Sequence, residues 1–143
     1  MRRSGTAAGL IGLALVGCQP AAERNTTAPQ RAFDAIAENE TIRLVGTEPF
    51  WGGTVTGGNF LYTSLENQAG ETIPVERFAG NSGLGFSGTR EGKPVDLTIT
   101  RGTCSDGMSD RSYPYTATLR IAGEQRSGCA WTHRQPFAGA GDP

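Results

Sequence analysis

Soft-ligand and nucleophile chemistry has little to draw on in this chain: 143 residues contain one histidine, three cysteines and two methionines. The only imidazole, His133, sits near the carboxyl end, where a solvated surface position is expected. No Gly-x-Ser-x-Gly elbow accompanies it, so a serine–histidine–acid arrangement has no local support. No apolar run approaches the roughly 18 residues of a transmembrane helix. Basic residues do not outnumber acidic ones, 13 against 14, which removes the basic patch that a nucleic-acid partner would call for. Glycine, by contrast, is abundant at 21 residues, against an ordinary share of roughly 7%. That excess favours tight turns and short strands over long helices.

The amino terminus reads as an export signal. Met1-Arg2-Arg3 is a positive start, and the apolar stretch at 7–16 is too short to span a bilayer, so residues 1–17 are expected to be removed. Leu15-Val16-Gly17-Cys18 resembles the bacterial lipobox. The resemblance implies that Cys18 becomes the acylated first residue of the mature protein, with palmitate among its fatty acids. A plain secretory signal that happens to end in Gly-Cys is the competing reading. Several acyl chains hold a protein stably on a membrane, whereas one binds only marginally. Gln19, where an aspartate would hint at inner-membrane retention, favours the outer membrane on its periplasmic side. The expected location is therefore the bacterial cell envelope, with the membrane as first partner.

Giving Cys18 to lipid leaves Cys104 and Cys129 in an oxidising compartment, where a disulfide is expected; free thiols or a metal pair are the alternative. A bridge of this span would stabilise the fold by about 3–4 kcal/mol in the chain-entropy treatment.

Along the mature chain, residues 19–30 are polar with proline near both ends and read as a tether. Residues 31–40 could form one short helix with Phe33, Ile36 and Ala37 on a shared face. From residue 41 strand signals follow closely, at 41–46, 50–56, 59–65, 72–78, 84–90, 94–101, 115–121 and 125–131. The clearest alternation sets Val95, Leu97 and Ile99 against Asp96, Thr98 and Thr100. Gly57-Gly58 is a two-residue hairpin turn, Glu91-Gly92 another, and Gly123-Glu124 a third. Pro74 confines its strand to a sheet edge or to the strand's start. The segment 133–143 is rich in glycine and proline and is expected to be a disordered tail.

The fold class is thus all-β, a small antiparallel meander of about eight strands over 41–132, closed as a barrel or stacked as a sandwich, with one disulfide. A two-residue turn after β-strand 115–121 puts Cys129 on the face away from Leu119, so that the bridge straps the 105–110 loop across the outside. A turn one residue longer pins that loop into the barrel mouth, and only that placement makes Ser105 to Asp110 part of an internal binding site.

The candidate binding residues are Phe50, Trp51, Asp106, Met108, Asp110, Tyr113 and Tyr115. The aromatics are either core or the walls of a ligand mouth, and a cavity beside Trp51 would distinguish the two. Asp106 and Asp110 could serve a hard cation, but the run lacks the alternating oxygens and final glutamate of an EF-hand loop. A turn at Asp106-Gly107, with Ser109 or Asp110 capping, is the favoured role. Cys104, Met108 and His133 include the soft ligands of a copper site, yet a disulfide removes the thiolate. No metal and no cofactor is expected.

Three blocks carry a resemblance: Gly46-Thr47-Glu48-Pro49-Phe50-Trp51, the run from Cys104-Ser105-Asp106-Gly107-Met108 to Tyr113-Pro114-Tyr115, and Gly128-Cys129-Ala130. Together they resemble a family of uncharacterised proteobacterial envelope lipoproteins, which implies export, a lipid anchor and pairing of Cys104 with Cys129. More distantly the architecture is similar to META-domain lipoproteins of the heat-shock type and to periplasmic lysozyme inhibitors. The expected function is a membrane-anchored, non-enzymatic binding or structural module taking a small apolar ligand or an envelope protein. An inhibitor of a cell-wall hydrolase such as lysozyme, or an enzyme with an Asp106–Asp110 carboxylate site, are the alternatives.

Overall fold

The alternation around Val95, Leu97 and Ile99 becomes the inward face of the longest strand in a computed structural model that describes residues 31–141. The signal segment, Cys18 and the tether at 19–30 lie outside the described residues. Eight strands follow in chain order: β1 (Ile42–Gly46), β2 (Trp51–Thr56), β3 (Asn59–Ser64), β4 (Glu71–Ala79), β5 (Gly83–Arg90), β6 (Lys93–Cys104), β7 (Tyr113–Ile121) and β8 (Glu124–Trp131). Each pairs antiparallel with the next, and β1 pairs with β8 as well, so the meander closes into a barrel and leaves no free edge strand. The barrel, of the two expected architectures, is the one adopted.

Side chains fill the interior. Trp51, Phe60, Leu97, Ile99, Leu119 and Tyr115 are at most 1% exposed and belong to one continuous cluster. Burial of each such side chain is worth about 1.5–3 kcal/mol. Room for the Trp51 indole comes from a cross-strand pair of inward glycines, Gly46 on β1 opposite Gly128 on β8. A Cβ on Gly46 would overlap the indole ring, and one on Gly128 would lie 2.9 Å from its Cζ2. The indole N–H donates to the Ser127 carbonyl at 3.0 Å, which settles its one polar atom.

Tight turns set the register. Gly57 and Gly58 both take positive φ, as a type I′ hairpin requires, and Ala122 with Gly123 does the same between β7 and β8. The last turn falls one residue earlier than expected, because Ile121 pairs with Glu124. It is still a two-residue turn, so Cys129 faces Thr116 on the outer side of the wall while Ala117 and Leu119 point in.

Three expectations need correction. Residues 31–40 form no helix; they fold into an irregular plug that buries Phe33 and Ile36 in the near end of the barrel. The backbone carbonyls a helix would use are taken by side chains instead: Ile36 accepts from Arg77 Nη2 at 2.7 Å and Ala35 from Gln135 Nε2 at 2.9 Å. With so short a segment, the cost of helix nucleation leaves tertiary contacts to decide. The tail also departs from its expected disorder, since Phe137 is buried and Ala138 exchanges backbone bonds with Ser112 at 2.8 Å.

Pro74, third, lies within a strand that is not a sheet edge. The barrel accommodates it by a local opening, because Pro74 pairs with Asn59 on β3 while the β4–β5 ladder begins only at Val75 opposite Gly88. Its missing N–H falls where no ladder partner is required. Beyond the opening, Arg90 Nε donates to Glu71 Oε2 at 2.7 Å and ties the two strands together again.

Candidate functional site

The 105–112 connection, which carries three of the seven candidate residues, is held in place from both sides. Cys104 and Cys129 form a disulfide with Cα atoms 5.6 Å apart, fixing the start of the loop to the outer wall of β8. Around it a second apolar cluster forms from Cys129, Tyr113 and Phe137, with Val45, Cys104 and Trp131 packed against them. The Tyr113, Trp131 and Phe137 rings meet one another with centroids 5.2–5.6 Å apart, and the Arg111 guanidinium lies over Phe137 at 4.3 Å. The bridge therefore straps the loop across the outside of the barrel.

Asp106 organises the loop. Its Oδ1 accepts the backbone N–H of Met108 at 2.9 Å and of Ser109 at 2.8 Å, and its Oδ2 accepts the Ser109 hydroxyl at 2.8 Å and the Tyr113 hydroxyl at 2.9 Å. These bonds, led by the Met108 N–H, outweigh burial and hold the carboxyl down to about 2. Asp106 is the main acceptor in the turn, and the Ser109 hydroxyl, one of the two expected caps, accepts the Arg111 N–H at 3.3 Å. Burial, and then the hydrogen bond it donates to Asp106, push the Tyr113 phenol up.

The seven candidates are thus divided. Trp51 and Tyr115 lie in the barrel core, and Tyr113 lies in the outer-wall cluster. Phe50, Met108 and Asp110 are exposed, and Asp106 is buried beneath its own turn. Burial raises the Tyr115 phenol, whose hydroxyl has no hydrogen-bond partner among the described residues. Trp51 is fully buried among the described residues, and a cleft of about 350 Å³ associated with the candidates lies on the surface between Thr47-Glu48 and Ser105 to Met108. Asp106 spends both oxygens on internal bonds and stays ionised, so it offers no general acid. His133 is exposed, and among the described residues no three of His, Cys, Asp and Glu converge as metal ligands would.

One exposed feature was missed by the sequence reading. Phe78 is 70% exposed, and it belongs to the face of β4 that carries Thr72, Pro74 and Glu76. Its signal was available: a large aromatic out of phase with Ile73 and Val75. Comparison of the chain with protein-family models, curated proteins and solved structures gave no match.

Proposed function

We propose that the chain is an envelope lipoprotein, anchored to the membrane through acylated Cys18, that works as a non-enzymatic binding or structural module through its outer surface. The filled barrel carries this reading. Trp51, Phe60 and Tyr115 occupy the space an apolar ligand would need, and the near end is plugged by Phe33 and Ile36. At the opposite end Arg126 Nη1 donates to the Tyr62 hydroxyl at 2.6 Å, from a strand on the far side of β1 and β2. An internal apolar ligand is therefore given up, and envelope partners are left to the loops and the outer wall. Fractionation of cells tests the anchor: the unaltered protein should pellet with membranes and Cys18→Ser should appear in the soluble fraction. Persistence of Cys18→Ser in the membrane pellet contradicts the reading.

The 105–112 loop favours a second reading, inhibition of a cell-wall hydrolase. A loop pinned by a disulfide and by four bonds to Asp106 loses little freedom on docking, and Met108 projects from it 60% exposed. A lysozyme turnover assay with the protein in large excess should show suppression that Met108→Ala weakens. Unchanged turnover removes this reading.

A further inference from the structure

The described chain begins beside the most exposed large apolar side chain of the barrel. Phe33 N–H donates to the Gly80 carbonyl at 2.7 Å, two residues beyond Phe78. Phe78 stands on the outer wall opposite Gly85, with its ring edge 3.9 Å from where a Cβ there would sit. Next to it runs a shallow groove of about 320 Å³ along Gly80, Gly83, Gly85, Thr98 and Thr100, and every residue lining it is uncharged. The two hairpin connections at this end, Gly57-Gly58 and Gly80 to Ser82, carry no charge either; the charges of the end belong to the plug, where Arg31 and Asp34 are exposed and Glu38 pairs with Arg77 at 3.5 Å.

The hairpin connections at the other end of the barrel are more acidic. An antiparallel meander places the β1–β2, β3–β4, β5–β6 and β7–β8 connections together, and each carries or adjoins an exposed glutamate: Glu48, Glu66, Glu91 and Glu124. An anionic lipid surface repels that end. It accepts an aromatic side chain at its headgroup boundary.

We propose that the Phe78 rim and its groove are a lipid-contacting surface that seats the near end of the barrel on the membrane, with the glutamate-bearing end turned toward the aqueous space. This deepens the lipoprotein reading and rests on it. The chain that leads from Cys18 enters the barrel at the plug, where Phe33 bonds Gly80, so the Phe33–Gly80 side is the part of the barrel nearest the anchor along the chain. Phe78 and the groove then add apolar contact to that of the lipid anchor. The uncharged lining means that this contact desolvates no unpaired charge.

The test uses the acylated full chain in phosphatidylethanolamine–phosphatidylglycerol vesicles with brominated acyl chains, which quench nearby indoles. Phe78→Trp places a reporter on the proposed surface, and Leu65→Trp places one at the opposite end, where Leu65 is also exposed. After subtraction of the parent signal from Trp51 and Trp131, the indole at position 78 should lose most of its emission and that at position 65 should keep it. Flotation of both variants with vesicles but equal emission from the two, or quenching of Leu65→Trp alone, overturns the orientation and leaves the anchor standing. Failure of both variants to float with vesicles overturns the anchor, and the orientation falls with it.

Discussion

The barrel has two apolar cores, and they are built by different rules. The inner core is made by strand alternation: inward positions of all eight strands meet around Trp51, and closure hides them from water. The outer core lies on the opposite side of the same wall, where Val45, Cys129 and Trp131 point away from the interior. It exists only because the 105–112 loop and the segment around Phe137 fold back over it. One core specifies the barrel, and the other specifies the position of a loop. Perturbations should therefore separate them: damage inside should unfold the whole domain, and damage outside should free the loop while the barrel stands.

Trp51→Ala is expected to have the largest effect, about 3–5 kcal/mol in chemical denaturation, since it leaves a cavity bounded by the Gly46–Gly128 backbone that cannot collapse. Replacing both cysteines of the bridge with serine should cost about 3–4 kcal/mol by the loop-entropy argument. Its local sign is faster hydrogen exchange in residues 105–112 than in β5 or β6. Phe137→Ala should cost about 2–3 kcal/mol, less than an inner-core truncation because the covering segment can relax, and the loss of protection should be confined to the tail and the Ser112–Ala138 bonds.

Asp106→Asn should have the smallest effect, and a pH-dependent one. The folded carboxyl lies near 2, below its ordinary 3.8, so it contributes stability at pH values above that ordinary range and loses it as pH falls through about 2. The difference between the unaltered protein and Asp106→Asn should be full at neutral pH and shrink toward zero near pH 2. A difference independent of pH would mean that the carboxylate charge is not what holds the loop.

The same division explains what could be read from the sequence. Strand number, the Gly57-Gly58 turn and the inward faces of β6 and β7 follow from period-2 alternation and turn chemistry, both local. The disulfide followed from cysteine arithmetic. The outer core did not show, because Cys129, Val45 and Trp131 occupy positions that alternation assigns to solvent. Phe137 sits in a glycine- and proline-rich stretch that gives no period at all. The burial of Trp51 depends on Gly46 meeting Gly128, a pair far apart in sequence with no local mark. The same was true of residues 31–40, where the apolar spacing of Phe33 and Ile36 was real but served a plug. Within the candidate loop the acids were visible, but the bond from Tyr113 to Asp106 arises after β6 shifts register between Arg101 and Cys104.

The central claim is that side chains fill the barrel interior, so that partners meet the outside. Titration of the methyl-labelled protein with a long-chain fatty acid, followed by nuclear magnetic resonance, tests it most directly. The account predicts that the methyl signals of Leu97, Ile99 and Leu119 do not move at any concentration reached. Saturable shifts of those three signals would show a ligand inside the barrel and contradict it.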